Sequence, residues 1–457
     1  MTMGATRDLA GMIERGTGGR TTDRSAALVE RSILDWLGCA ISGSMTDAAQ
    51  VAAEYARSVY GGGECHVVGS TLRLDAGAAA WLNGIQGHVD DFDDSGSHPA
   101  SYLTPTVLAL GEETSAPAAR VIEAWTIGYE IAMRLCNGIR PDRGWHTTPL
   151  YGTLGATAAA CVLLDLPRDR IEHALGMAGS ATGGLMRNFG SMTKAMHPAN
   201  AARSGIEAAR LARLGYEATP GVIEGRYGLV DCFGGPKAHV PSISALPSDP
   251  LFIDRQPPVI KAWPCCTGTH RSLTAALSFA EEFAPAPDDI VQVNHYGPLI
   301  PGKGALQYRD VATPTQGKFS LEYTLAAALI DGRVDHDTYS IERFGRGDIQ
   351  ALMARIHRHR SPEAELQSAR TAEGMDVDVL TIELRDGRVH TMKLGPRRVL
   401  DGAEVADKFA ANAARGRIRA TAPEVVQAIR TLEQAASIAP LMAMVSSPST
   451  EQERDGR

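Results

Sequence analysis

No CxxC pair, no GxGxxG loop, no Walker lysine and no apolar run of membrane-spanning length occurs in these 457 residues. Each absence closes a class. Without paired cysteines, neither a zinc ribbon nor a disulfide framework is indicated. The seven thiols (Cys39, Cys65, Cys136, Cys161, Cys232, Cys265 and Cys266) are odd in number and scattered, which reads as reduced sulfur in a cytoplasmic protein. Without nucleotide-loop spacing, "YGGGECHVVGS" reads as a turn before a strand. No membrane span is expected. The opening "MTMGATRDLAGMIERG" has no apolar h-region, so no secretion signal is expected either. Aromatic residues make up only 5%, and 45 basic against 53 acidic side chains leave a formal charge of −8. That balance argues against a nucleic-acid-binding surface and says little about a small substrate. Neither internal repeats nor low-complexity tracts are found.

What is present is helical. Small-residue segments with apolar periodicity follow one another: "RSAALVERSILDWLGCAISG", "DAGAAAWLNGIQGHVDDFDD", "RVIEAWTIGYEIAMRLCNGI", "LYGTLGATAAACVLLDL" and "NAARSGIEAARLARLGY". Glycine costs a helix interior about 1 kcal/mol against alanine, so its repeated use predicts close helix–helix contacts. Pro257 and Pro258 mark a change of texture. Beyond them the pattern predicts a helix at 271–283 and a strand "DIVQVNHYG". Helices "KFSLEYTLAAALIDG" and "DIQALMARIHRH" follow, then strands "DVDVLTIELRDG" and "RVHTMKL" joined by Asp-Gly turn chemistry. Helices return with "DGAEVADKFAANAA" and "PEVVQAIRTLEQAAS". The expected fold is mostly α: a large all-helical domain (1–258 and 401–446) interrupted by a smaller α+β lid domain (259–400), with a disordered polar tail at 447–457. "HRHR" at 357–360 reads as a solvated helix end.

The densest chemistry lies in "HVDDFDDSGSHP", His88 to Pro99. On a helical wheel Trp81, Ile85, Val89 and Phe92 form one stripe, with His88, Asp91 and Ser95 along its margin. Asp91 then stands apart from Asp90, Asp93 and Asp94, which read as a solvated face. Asp91→Asn is expected to disable turnover much more than Asp90→Asn or Asp93→Asn. A metal ion would suit clustered carboxylates and imidazoles, but no HxxxH spacing accompanies the i,i+3 carboxylates, so no metal is assigned. His146 precedes a helix start, "TTPLYG", where a histidine tends to stay neutral; a capping or loop role is its bland reading. Arg187, Lys194, His197 and Arg203 put positive charge into seventeen otherwise apolar, small residues. In an acidic chain that points to a polycarboxylate ligand, with Lys194 either clamping a carboxylate or giving up a proton. A salt bridge is the bland reading of Arg203. Cys265 and Cys266 read as packing, since neighbouring cysteines cannot both face one site.

Five segments, in order and over nearly the whole chain, resemble the MmgE/PrpD family: "DFDDSGSHP", "GWHTTPLYGTLGATAAA", "GLMRNFGSMTKAMHPANAARSGIEAA", "KAWPCCTGTH" and "KFSLEYTLAAALIDG". The family includes 2-methylcitrate dehydratase, cis-aconitate decarboxylase and iminodisuccinate epimerase. The resemblance implies a helical domain with an α+β lid, a homodimer, an active site between the domains, and no cofactor. It places functional roles on Asp91, His98, His146, Lys194, His270 and Tyr323, with Ser95 and His197 around the substrate; Arg187 and Arg203 are assigned to the substrate from the basic patch alone. Ser95 stands where the decarboxylase type has threonine, and the spacer from Ser95 to His98 is shorter than in that type. The implied reaction moves a proton on or off a carbon beside a carboxylate of a small di- or tricarboxylate. Dehydration is the family default. Epimerisation is suggested by "RNFGSMTKAMHPANAARSG", and decarboxylation by Tyr323, which the epimerase type does not carry. A metal-dependent lyase or hydrolase, and a non-catalytic homodimer, are the competing readings.

Overall fold

A computed structural model describes residues 4–240, 250–297, 304–360 and 378–448. The expected tail at 447–457 lies outside the described residues from 449 onward. The helical part opens with α1 (Ala5–Arg15), α2 (Asp23–Gly43) and α3 (Asp47–Val59). A two-stranded antiparallel pair follows, β1 (Gly62–His66) and β2 (Arg73–Leu74). Then come α4 (Ala76–His88), α5 (Pro99–Glu113), α6 (Ala118–Ile139), α7 (Thr147–Leu163), α8 (Arg168–Ala181) and α9 (Thr193–Arg213). Asp75 caps α4 by accepting from the amides of Gly77 and Ala78.

The centre of this part is α4 and α7, which pack against α5 and α9. Every residue of α4 is buried, and so is nearly all of α7, so neither shows an amphipathic stripe. Their alanines and glycines allow the helix axes to approach. A Cβ at Gly84 would stand 2.8 Å from the Ala199 Cα on α9, and one at Gly128 of α6 would stand 2.8 Å from the Gly155 carbonyl on α7. The close contacts predicted from glycine usage are therefore present, and the one at Gly84 sets α4 against α9, the two helices that carry His88, Lys194 and His197. Among the described residues no helix is long and apolar enough to cross a membrane.

A second hydrophobic cluster gathers Phe189, Trp263, Leu273, Ile290, Val293, Ile356, Ile382 and their neighbours. It joins α10 (His270–Phe283) and α11 (Leu321–Asp331) to a four-stranded sheet of β3 (Ile290–Gly297), β4 (Ile356–Arg360), β5 (Val379–Leu384) and β6 (Val389–Lys393). The strand order is β4-β3-β5-β6; β3 and β4 run parallel, and the other pairs antiparallel. The chain then returns to the helical core through α12 (Gly402–Ala413), which packs on α2.

The expected helix "DIQALMARIHRH" ends at Met353, and "IHRHR" is strand β4. Arg358 is not solvated: it is fully buried against Glu322 of α11, with N···O at 2.6 Å. Pairing with β3 and this internal charge partner outweigh the helical texture. A second expectation also fails. The α4 helix stops at His88, so the wheel drawn through residue 95 has the wrong phase beyond it. Asp91 adopts φ +52°, in the left-handed region, and residues 89–98 form an irregular loop.

Candidate active site

That acid loop crosses the segment entering the second cluster. Asp94 bridges to Ile260, and the Ser95 amide donates to the Val259 carbonyl at 2.8 Å. The crossing brings Lys261 onto the loop. Its ammonium donates to Asp91 Oδ2 at 2.9 Å and to the Asp91 carbonyl at 2.7 Å. From the opposite side Lys194, in the first turn of α9, donates to Asp91 Oδ1 at 2.7 Å. Burial would raise the Asp91 carboxyl, but Lys194 and Lys261 outweigh it and hold the group below the ordinary carboxylate range. Burial lowers the Lys194 ammonium despite Asp91. At Lys261 burial acts in the same direction, but Asp91 wins and the ammonium is held above its ordinary value.

Asp93 organises the imidazoles. Fully buried, it accepts from His88 Nδ1 at 3.0 Å, from His98 Nδ1 at 3.0 Å and from the Ser101 hydroxyl at 2.6 Å. Three donors suit a carboxylate, and against the cost of burial the two histidines hold it well below its ordinary pKa. The arrangement selects one tautomer in each ring: Nδ1 carries the proton and Nε2 a lone pair. His88 Nε2 accepts from Lys194 at 2.6 Å. Burial, then Lys194, push His88 down to about 3, so this ring is a neutral link. His98, also lowered by burial, keeps Nε2 on the side of Asp91, 3.7 Å from Oδ1. His98 itself sits at φ +52° immediately before Pro99 opens α5. Orientation of His98 therefore belongs to Asp93. Asp90, Asp93 and Asp94, expected to be solvated, are all buried. Each finds partners: Asp90 accepts from Lys318 at 2.6 Å, and Asp94 accepts from the Ala100 amide at 3.1 Å.

These groups border a cavity of about 490 Å³. Asp91, His98, His146, Lys194, Lys261 and Arg397 supply its polar wall, and Met186, Phe189, Leu306 and Phe319 an apolar one. His146 is the residue preceding α7, and its side chain makes no capping bond. It faces His197 instead, Nδ1 to Nδ1 at 2.8 Å. Burial and then Lys194 hold His146 well below its ordinary value and push His197 down to about 4. The pair is therefore neutral, one ring donating to the other.

Of the residues singled out in the sequence, Asp91, His98, His146 and Lys194 share the cavity wall, with His197 directly behind His146. His270 is buried outside the wall, edge-on to Trp263, with Nε2 3.3 Å from the Cys265 carbonyl. Tyr323 is buried in the second cluster, its hydroxyl donating to the Thr338 carbonyl at 2.6 Å. Ser95 is half-buried, and Arg187 is exposed beside Met186. Arg203 bonds the Tyr60 hydroxyl at 2.7 Å and lies near Glu207, in keeping with a structural role. Cys265 and Cys266 are buried thiols; burial pushes Cys265 up to about 12 and raises Cys266, so neither is a ready nucleophile. Sequence reasoning missed Lys261, Asp93, Arg397 and the role of His88. A lone lysine inside the apolar "PPVIKAWPCC" was the one available signal.

His88, Asp91, Asp93 and His98 bring potential ligand atoms within 4.8 Å of one another. Those atoms are already committed: both nitrogens of His88, both oxygens of Asp93, and Asp91 against two ammoniums. A divalent cation there would have to displace Lys194 and sit beside Lys261, so the donor set fits an ion-pair network better than a metal.

The family model described as the MmgE/PrpD N-terminal domain matches residues 7–241, and that of the MmgE/PrpD C-terminal domain matches residues 263–434. A cis-aconitate decarboxylase of Homo sapiens is 27% identical, covering 94% of this chain and 92% of that protein. One of Mus musculus is 25% identical, covering 99% and 96%. One of Aspergillus terreus is 32% identical, covering 46% of each.

Proposed function

The chain belongs to the MmgE/PrpD family, and on that footing we propose that it is a cofactor-independent lyase that decarboxylates a small unsaturated tricarboxylate of the cis-aconitate type. The observation that carries this reading is the charge of one cavity. Three cations, Lys194, Lys261 and Arg397, border the cavity together with a single carboxylate, Asp91. The surplus of positive charge suits a polyanion, whose carboxylates would otherwise lose water without compensation.

The apolar wall of Phe189, Phe319 and Leu306 suits the carboxylate that leaves. There it would be poorly solvated, and loss of CO₂ disperses its charge. The bond to that carboxyl carbon breaks, and its electron pair passes into the carbon skeleton, conjugated with a remaining carboxylate held by the cations. A proton then bonds to carbon, and the donor is recharged from water. Lys194 is the donor in this reading, because burial weakens its hold on a proton.

One observation favours a second reading. His98 and His146 are both held neutral on the cavity wall. Decarboxylation needs a donor but no base, whereas dehydration or epimerisation beside a carboxylate needs both. Incubation with cis-aconitate, 2-methylcitrate and iminodisuccinate in D₂O, followed by proton NMR, separates the readings. Decarboxylation predicts a product one carboxyl group smaller, with solvent deuterium on carbon. Activity is expected to survive extensive chelation. No turnover and no deuterium uptake with any of the three would refute the shared chemistry. A homodimer in the cytoplasm completes the proposal, and light scattering on the purified protein tests the assembly.

A further inference from the structure

Three consecutive carbonyls of the acid loop end on three different lysines. Lys318 Nζ lies 3.3 Å from the Asp90 carbonyl oxygen, Lys261 Nζ 2.7 Å from that of Asp91, and Lys408 Nζ 2.7 Å from that of Phe92. All three lysines are buried and come from segments far apart in the chain. Lys318 precedes α11, Lys261 lies where the loop crosses, and Lys408 is on α12. Each ammonium also meets a carboxylate: Asp90 at 2.6 Å, Asp91 at 2.9 Å and Asp35 at 2.6 Å. Lys408 further stands 3.8 Å from the centre of the Phe92 ring. The second Asp90 oxygen faces His336 at 3.3 Å, and His336 in turn meets Asn412 of α12 at 2.9 Å.

Lys318 and Lys408 are not among the residues that border the cavity. Burying an ion pair gives little stability over apolar packing, so two such pairs beside an active site call for another reason. The loop supplies one. It lies outside helix and sheet, so its buried carbonyls need partners of another kind. It also holds two non-glycine residues, Asp91 and His98, at φ +52°, a conformation that persists only where the surroundings enforce it.

We propose that Lys318 and Lys408 are positioning residues that, flanking Lys261, hold the acid loop so that the Asp91 carboxylate meets Lys194. The loop thereby registers α11 and α12 against the cavity. This rests on reading the cavity as the active site, but the first test needs no substrate. Lys318→Met and Lys408→Met are compared by hydrogen–deuterium exchange. Amides of 89–98 should exchange about tenfold faster in each, while those of α7 stay protected. Asp35→Asn removes the charge partner of Lys408 but keeps the carbonyl bond. It should lower the melting temperature and leave loop exchange unchanged. Where a methionine variant does not fold, the glutamine variant, too short to reach the carbonyl, is read in the same way.

The second test is kinetic. With a substrate that turns over, each variant should lose roughly 10- to 100-fold in kcat, with KM within about threefold of the parent. In an Asp91→Asn background neither substitution should cost more, because both act through Asp91. Wild-type loop exchange in both variants would overturn the cradle, and additive kcat losses would overturn action through Asp91. Failure of every substrate would instead refute the catalytic reading and leave the exchange result standing.

Discussion

Asp93 carries the sharpest revision among individual side chains. On a helical wheel it is a solvated neighbour of Asp91; in the structure it holds the Nδ1 protons of two imidazoles. Asp93→Asn offers an amide where two N–H groups need an acceptor, so at least one ring must change tautomer or turn. Its kcat should fall on the order of 10²–10⁴-fold, as far as that of Asp91→Asn. Asp90→Asn, one step removed, should cost about tenfold. Steady-state kinetics beside a thermal melt decides, and wild-type turnover in Asp93→Asn would strip it of the role. A second pair separates binding from proton transfer. Lys194→Ala should raise KM and lower kcat together, since the ammonium both neutralises the ligand and donates. His146→Gln should lower kcat by about 10²–10⁴-fold with less change in KM. Near-normal kinetics in both, with unchanged melts, would remove them from the mechanism.

Among helices and strands, those with a strong period were legible. Helices α2, α6 and α9 and the β5–β6 hairpin follow from apolar spacing and turn residues, and α4 and α7 from their small-residue composition, whereas α5 and α8 were not read from the sequence. The acid loop and β4 were not. The loop's residues 89–92, "VDDF", continue a helical period, and only the lysines waiting at 261, 318 and 408 give its carbonyls and carboxylates a better arrangement. In β4, the buried Arg358–Glu322 pair was invisible because the partner lies on another element. That pair also makes a prediction. Arg358 donates to the carbonyls of Leu306, in the cavity wall, and of Tyr308, whose hydroxyl bonds the Phe189 carbonyl. Arg358→Met leaves Glu322 as a buried, unpaired carboxylate and should cost about 3–5 kcal/mol. Chemical denaturation reads the loss. A variant as stable as the parent would mean that Glu322 is compensated elsewhere.

For the folded chain, pH is the informative variable. Among the described residues six buried imidazoles, His88, His98, His146, His197, His270 and His295, are lowered from 6.5, chiefly by burial. His88 and His270 are pushed down to about 3, and His197 and His295 to about 4. The unfolded chain takes up these protons near the ordinary histidine value and the folded chain does not. Their contribution to stability is therefore present above 6.5 and is lost as pH falls towards 4 and then 3. Four carboxyls, Asp35, Asp94, Glu30 and Asp378, are raised, chiefly by burial, and act in the opposite sense. The six imidazoles outnumber these four and set the net direction. The melting temperature should drop between about pH 7 and pH 5; a flat or rising profile would show that the imidazoles are not buried neutral.

Composition, glycine-rich helical periods and five family segments were enough to assign a mostly α chain with an inserted α+β part, and to single out Asp91, His98, His146 and Lys194, which border one cavity. Those features are local or additive: a period or a motif is written in neighbouring residues. The identity of the carboxylate that orients His98, the second ammonium on Asp91 and the burial of all four aspartates were decided only in three dimensions. A charged side chain takes its role from whichever opposite charge the fold brings near it, and the distances from residue 91 to residues 194 and 261, or from residue 93 to its two histidines, exist only after packing.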